Sequence, residues 1–171
     1  MSDPAPLILT LAFDEASLAF FDAQRRRYFS PDRNFIPAHL TLFHALPGPE
    51  VETITADLEA VCRDHPAFRI TVTGLRPLGR GVAYAIESHA LAALRERLAR
   101  SWRSWLKPQD RQPHRPHVTV QNKVAPAEAK ALLQDLRTGF APFTATAEGL
   151  ELWRYRGGPW DPVRRFPFGA G

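Results

Sequence analysis

A mixed helix–strand domain, built twice on one plan and closed around a single cleft, is what the sequence predicts. Three observations carry this. Apolar patterning runs strand, helix, strand, helix, strand, and then repeats that order. The segments "FRITVTGL" (68–75) and "FTATAEGL" (143–150) share Phe, Thr, Gly and Leu at matching positions, and Pro66 or Pro142 closely precedes each. Upstream of each lies a His-x-Thr strand, "HLTL" (39–42) or "HVTV" (117–120). The two units span about 7–78 and 82–154 of one domain. An approximate two-fold axis between them would set the His-x-Thr strands on opposite sides of one cleft.

The first unit opens with "LILTLAF" (7–13), a buried strand by length and content. Residues 14–29 form a helix, with Leu18, Phe20 and Phe21 towards the core. Arg25, Arg26 and Arg27 lie near its C-terminal end, where positive charge suits the helix dipole. A loop (30–37), a strand (38–46) and a helix (49–65) follow. Strands 68–73 and 82–87 flank the turn-rich "GLRPLGRG". In the second unit, helix 89–106 has Leu91, Leu94, Leu98 and Trp102 at apolar helical spacing. A polar loop, "KPQDRQPHRP", leads to the strand 117–121. Helix 125–140, strands within 143–155 and a Gly/Pro-rich tail complete the chain.

Composition narrows the possibilities. With 171 residues, 44% hydrophobic, the chain can bury a sizeable core. Its sixteen prolines are scattered, which implies defined turns rather than a low-complexity linker. The net charge of +4 suits a phosphate-bearing partner but is common among enzymes. A single cysteine, Cys62, excludes an intramolecular disulfide and any multi-cysteine metal site. It reads as a small buried hydrophobe, and a reducing cytoplasm is the expected compartment. "MSDPAPLILTLAFDE" lacks a basic leader, and its apolar run is too short for a membrane span.

The His-x-Thr pairs carry the chemistry. On a strand, residues two apart share a face, separated by roughly 7 Å. Leu40 and Leu42 belong to the core, so His39, Thr41 and Phe43 look the other way. Likewise Val118 and Val120 are buried, while Arg115, His117, Thr119 and Gln121 line the opposite face. Two imidazoles with ordinary pKa values of about 6.5 suit phosphodiester chemistry, one neutral and one protonated near neutral pH. The neutral ring takes a proton from water, and the charged ring gives one to the leaving oxygen. Thr41 and Thr119 would hydrogen-bond the non-bridging phosphate oxygens.

The remaining histidines read differently. Alternation sets His44 on the buried Leu40/Leu42 face, and His65 and His89 sit at helix ends. His114, in the loop before His117, could reach a phosphate. A metal site of His39, His44, His114 and His117 would lack any carboxylate, so no metal is expected.

The paired "HLTL" and "HVTV", within "PAHLTLFHALP" and "RPHVTVQNK", resemble the signature of the two-histidine phosphoesterase superfamily, in its bacterial 2'-5' RNA ligase / cyclic phosphodiesterase (LigT-like) branch. "LGRGVAY" and "LWRYRGGPW" are also similar to that branch. The resemblance implies a bilobal α+β fold with antiparallel sheets lining a central cleft and helices packed outside. It also implies metal-independent hydrolysis of 2',3'-cyclic phosphates, usually to a 2'-phosphate, with weak reversible 2'-5' ligation in some members. Its motif positions fall on His39, Thr41, His117 and Thr119. His117 is expected to activate water and His39 to act as the acid, an order that the substrate's direction could invert.

Around that motif, Arg115 is a candidate phosphate ligand, with a structural ion pair as the alternative. Gln121 is expected on the same face. Phe43 is a candidate for stacking on a base, with a core position as the alternative. Tyr84 and Trp160 are weaker stacking candidates, and Arg80, beside Gly79 and Gly81, is a weak phosphate candidate. No G-x-x-x-x-G-K-[ST] loop occurs, so ligation would be ATP-free reversal of cyclic-phosphate chemistry. The expected partners are RNA ends or small nucleotide cyclic phosphates, met by a monomer needing no cofactor, metal or membrane. Two other classes fit less well: an RNA-binding module using the basic, aromatic stretch "RSWRSWLKPQDRQPHR", and a metal-dependent phosphoesterase.

Overall fold

The computed structural model describes residues 3–169. Among them the chain order is β1 (Leu7–Phe13), α1 (Glu15–Tyr28), β2 (Thr41–Leu46), α2 (Val51–Arg63), β3 (Phe68–Pro77), β4 (Val82–Glu87), α3 (His89–Ser101), α4 (Pro108–Arg111), β5 (His117–Gln121), α5 (Pro126–Arg137), β6 (Phe143–Arg154) and β7 (Asp161–Pro167). The class is the expected α+β one. All the strands join one antiparallel sheet in the order β2-β1-β6-β3-β4-β5, with β7 also paired to β6. The join runs through β3 and β6, from Phe68 opposite Ala147 to Val72 opposite Phe143.

β2 and β5, the His-x-Thr strands, end this path. Register shifts interrupt the β1–β2, β1–β6, β3–β4 and β4–β5 ladders. Each adds local twist and bends the strand, so the sheet curls and its two ends face each other. His114 closes the gap, donating from Nε2 to the Thr41 carbonyl at 2.9 Å.

The helices cover the sheet with their apolar faces. α1 starts at Asp14, whose carboxylate accepts from the N–H groups of Ser17 and of Thr146 on β6. This satisfies a helix-end donor and fixes α1 against the sheet, a contribution of about 1 kcal/mol. Phe21 is fully buried against Phe13, Tyr84 and Phe143. α3 buries Leu91, Leu94 and Leu98, and Trp102 follows them with its indole N–H on Asp57. Cys62 is buried on α2, and burial pushes its thiol up to about 12, so it behaves as a small hydrophobe.

Several sequence boundaries shift for identifiable reasons. The helix expected over 89–106 ends at Ser101, and Arg103–Trp105 tighten into a 3₁₀ turn. The loop over 107–116 carries α4, started by Pro108 at a first-turn position. β3 continues to Pro77 through a bulge between Val72 and Gly74. The tail contributes β7, paired along β6. Phe20, expected in the core, is 38% exposed, while Arg25 is buried with its Nη1 on the Thr119 carbonyl. No helix among the described residues is long and apolar enough to cross a membrane.

Candidate active site

Between the two ends of the sheet lies a cavity of about 180 Å³ lined by Ile8, His39, Thr41, His44, His117, Thr119 and Trp160. Both His-x-Thr pairs are therefore in one space. A neighbouring groove of about 420 Å³ shares Thr41, His44 and His117 with it and adds Arg76, His114 and Arg115. A much larger concavity, about 1690 Å³, contains neither His39 nor His117 and lies beyond His114, over α3 and β3. Size is no guide here: the chemically equipped space is the small one.

The two motif histidines are held alike. His39 Nδ1 lies 2.9 Å from the Pro37 carbonyl oxygen, and His117 Nδ1 lies 2.8 Å from the Arg115 carbonyl oxygen. A carbonyl can only accept, so each Nδ1 carries hydrogen. Each neutral ring then has its free lone pair on Nε2, the nitrogen left to work in the cleft. In both cases the acceptor is two residues back on the same chain segment. Trp160 packs against the His39 ring at 4.6 Å between centroids, and Trp153 backs Trp160 edge-on at 6.1 Å.

Electrostatics separate the two rings. Burial pushes His39 down to about 4, partly opposed by its bond to Pro37, and the charges of Arg25, His117 and His44 push the same way. His117 is also lowered, first by burial and then by Arg76, His44 and Arg115 nearby, against its bond to the Arg115 carbonyl. Arg76 Nη1 donates to the same Arg115 carbonyl at 3.2 Å and stands 3.1 Å from His117 Nδ1. That Nδ1 already donates to Arg115, so the guanidinium is a charged neighbour of the ring rather than its hydrogen-bond donor. His114, expected as a possible phosphate contact, instead spends Nε2 on Thr41, and burial takes it down to about 4.

Four expected contacts are corrected. Phe43 is fully buried, edge-on to Trp102 and beneath the Arg95 guanidinium. The cause is a bulge: Leu9 pairs with Phe43 and Thr10 with Thr41, so Leu42 and Phe43 both turn to the core and His44 turns to the cleft. The expectation that His44 is a core residue fails for the same reason. Gln121 is likewise buried, because Val82 pairs with Gln121 while Ala83 pairs with Thr119. Tyr84 lies opposite Val118, hence on the helix-covered face, where its hydroxyl donates to Gln24. Arg80 donates to the Val124 carbonyl and ties two turns together away from the cleft. Arg115 is exposed beside the groove, as its place on the His117 face predicts.

Three contributors escaped the sequence reading. Arg76 comes from the segment taken as turn. Asp110, 1% exposed on α4, accepts from His44 Nδ1 at 3.1 Å and from the backbone N–H groups of His44 and Ala45. Arg25 supports Thr119 from behind through its carbonyl. Each lies far in sequence from the residue it serves, so strand alternation alone gives no signal. Among the described residues, no group of three or more His, Cys, Asp or Glu is arranged to hold a metal ion.

Known proteins place this architecture. The structure of TT0787 from Thermus thermophilus superposes with a TM-score of 0.65 at 19% identity, over 96% of this chain and 98% of that one. Escherichia coli LigT complexed with 3'-AMP gives 0.61 at 18% identity, over 97% and 99%. LigT complexed with NADP+ gives 0.61 at 19%, over 98% and 99%. No curated protein sequence matches the chain. A sequence model of the 2'-5' RNA ligase superfamily matches residues 13–159, which include both His-x-Thr strands. With the fold and the sequence match in agreement, the chain belongs to the 2'-5' RNA ligase superfamily.

Proposed function

We propose that this protein hydrolyses 2',3'-cyclic phosphates, on RNA ends or small nucleotides, to a 2'-phosphate by paired-histidine acid–base catalysis without a metal. The observation that carries this reading is the matched pair of imidazoles. Each donates Nδ1–H to the carbonyl two residues back and lines the cavity shared by Thr41 and Thr119. A purely binding cleft needs positive charge, whereas two oriented rings on opposite walls suit in-line displacement.

The electrostatic order reverses the acid–base expectation. His39, the more depressed ring, is neutral at pH 7, and we infer that its Nε2 takes the proton from the attacking water. His117 supplies the acid, its protonation favoured when an anionic phosphate occupies the cleft. Oxygen of water bonds to phosphorus and the P–O3' bond breaks. The water proton goes to His39, and the His117 proton goes to O3'. The product carries a 2'-phosphate and a free 3'-hydroxyl, and proton exchange with solvent resets the rings. Thr41 and Thr119 hydroxyls stabilise the charge that develops on the non-bridging oxygens. With a 5'-hydroxyl in place of water, the same displacement would leave a 2'-5' phosphodiester and a free 3'-hydroxyl.

The test is hydrolysis, in EDTA, of an oligoribonucleotide ending in a 2',3'-cyclic phosphate, with product position read by phosphorus NMR. Wild type should turn over, and His39→Ala and His117→Ala should each lose at least about a hundredfold in kcat while remaining folded. Full activity in either variant overturns the mechanism. A wild type that binds RNA ends without turnover would favour the binding-module reading.

A further inference from the structure

We propose that His44, oriented by the buried Asp110, is a third phosphate-contacting residue of this site, donating from Nε2 to a non-bridging oxygen of substrate and of phosphomonoester product. The proposal rests on the hydrolytic reading above, and its test separates the two. His44 is outside the His-x-Thr motif. It reaches the cavity only because the β2 bulge turns Leu42 and Phe43 together into the core.

The support behind His44 is unusually complete. Asp110 accepts from His44 N–H at 2.8 and 3.0 Å, from Ala45 N–H at 3.0 Å and from His44 Nδ1 at 3.1 Å. Burial works to raise the Asp110 carboxyl, yet the hydrogen bonds from His44 and Ala45 prevail and hold it below the ordinary carboxylate value. Asp110 is therefore an anion. α4 is clamped in turn by Arg95, which donates to the Asp110 carbonyl at 2.7 Å and to the Leu42 carbonyl at 3.1 Å. A four-residue helix is thus pinned to the bulged strand where the imidazole leaves it.

With Nδ1–H committed to Asp110, Nε2 is the nitrogen that remains. Its ring lines the cavity with Thr41 of the same strand, β2, and with His117 and Thr119 of β5. An imidazolium between a carboxylate on one side and a phosphate on the other satisfies both its N–H groups with anions. This arrangement differs from those of His39 and His117, whose Nδ1 partners are neutral carbonyls. A carbonyl-backed ring is free to exchange its second proton, whereas a ring flanked by two anions has a use for both. Two rings are thereby suited to transfer protons and one to bind charge. Asp110 acts through His44 and is a positioning residue.

Inorganic phosphate and a nucleoside 2'-monophosphate, titrated by calorimetry, test His44 without requiring turnover. His44→Gln should weaken both at least about tenfold and Asp110→Asn should weaken them in the same direction, while His44→Arg, which places a cationic N–H donor there, should recover part of the loss. In turnover, His44→Gln should raise KM and relieve product inhibition more than it lowers kcat. Unaltered phosphate affinity in a folded His44→Gln protein overturns the proposal, as does a wild type that binds neither ligand. Thermal melts exclude misfolding as the cause. Phosphate binding that depends on His44 in a wild type lacking hydrolysis would sink the hydrolytic reading and leave this site standing.

Discussion

His114 donates from Nε2 to the backbone carbonyl of Thr41 at 2.9 Å, so the segment leading into one motif strand fixes the other. The link is a neutral imidazole's hydrogen bond, and protonating either His114 or His39 costs the folded state. Both rings sit at about 4, against about 6.5 in an unfolded chain.

The sign of the linkage follows. Above pH 6.5 both rings are neutral folded and unfolded, and neither contributes. Between pH 6.5 and 4 the unfolded chain binds protons that the fold refuses, so stability falls as the pH is lowered. The expected loss is about 1 to 3 kcal/mol per ring by pH 4, reduced where solvent screens the charge. Urea denaturation from pH 7.5 to 4.5 measures it. His114→Gln keeps an N–H donor but does not titrate, and it should remove that ring's share of the slope while the shares of His39 and His117 remain.

The pH profile of kcat/KM reports the free protein's rings. His39 sets an acid limb near pH 4, and His117, lowered from 6.5, sets an alkaline limb that begins below that value. Activity per enzyme–substrate encounter should peak on the acid side of neutrality. Arg76→Ala removes a cation beside His117, so the alkaline limb should move to higher pH. An alkaline limb that stays in place would show that Arg76 does not tune the ring.

A substrate with sulfur at the 3' bridging position has a leaving group that needs little proton donation. It should largely rescue the acid variant His117→Ala and leave the base variant His39→Ala slow. Rescue of His39→Ala instead would restore the opposite assignment.

Phe43 and Tyr84 should affect stability rather than substrate affinity. Phe43→Ala empties a fully buried position and should cost about 3–5 kcal/mol. Tyr84→Phe removes the hydrogen bond to Gln24 and should cost about 1 kcal/mol with KM unchanged. A raised KM for Tyr84→Phe would return that ring to the site.

Strand alternation made His39, Thr41, His117 and Thr119 legible, because a two-residue period needs only local letters. It failed two or three positions later, at Phe43, His44 and Gln121, where bulges insert a residue into the ladder. A bulge is set by the partner strand, which the local pattern does not contain. Arg76 was missed because Gly74 and Pro77 made its strand look like a turn, and Asp110 because the loop gave no hint of α4. The core of α3 was readable from helical spacing, whereas β7 lay hidden in a tail with little apolar content.

The sheet order has a consequence for assembly of the chain. Among the described residues, β3 pairs with β4 and β6 and with no strand before it, while β6 reaches back to β1. Cutting the chain in the turn at 78–81 would leave the N-terminal piece with an orphan strand and the C-terminal piece with an unfilled groove beside β4. Neither piece can complete its own layer, so the two should be unfolded alone and regain structure only when mixed. The intact chain should for the same reason melt in one transition, each half serving as a template for the other.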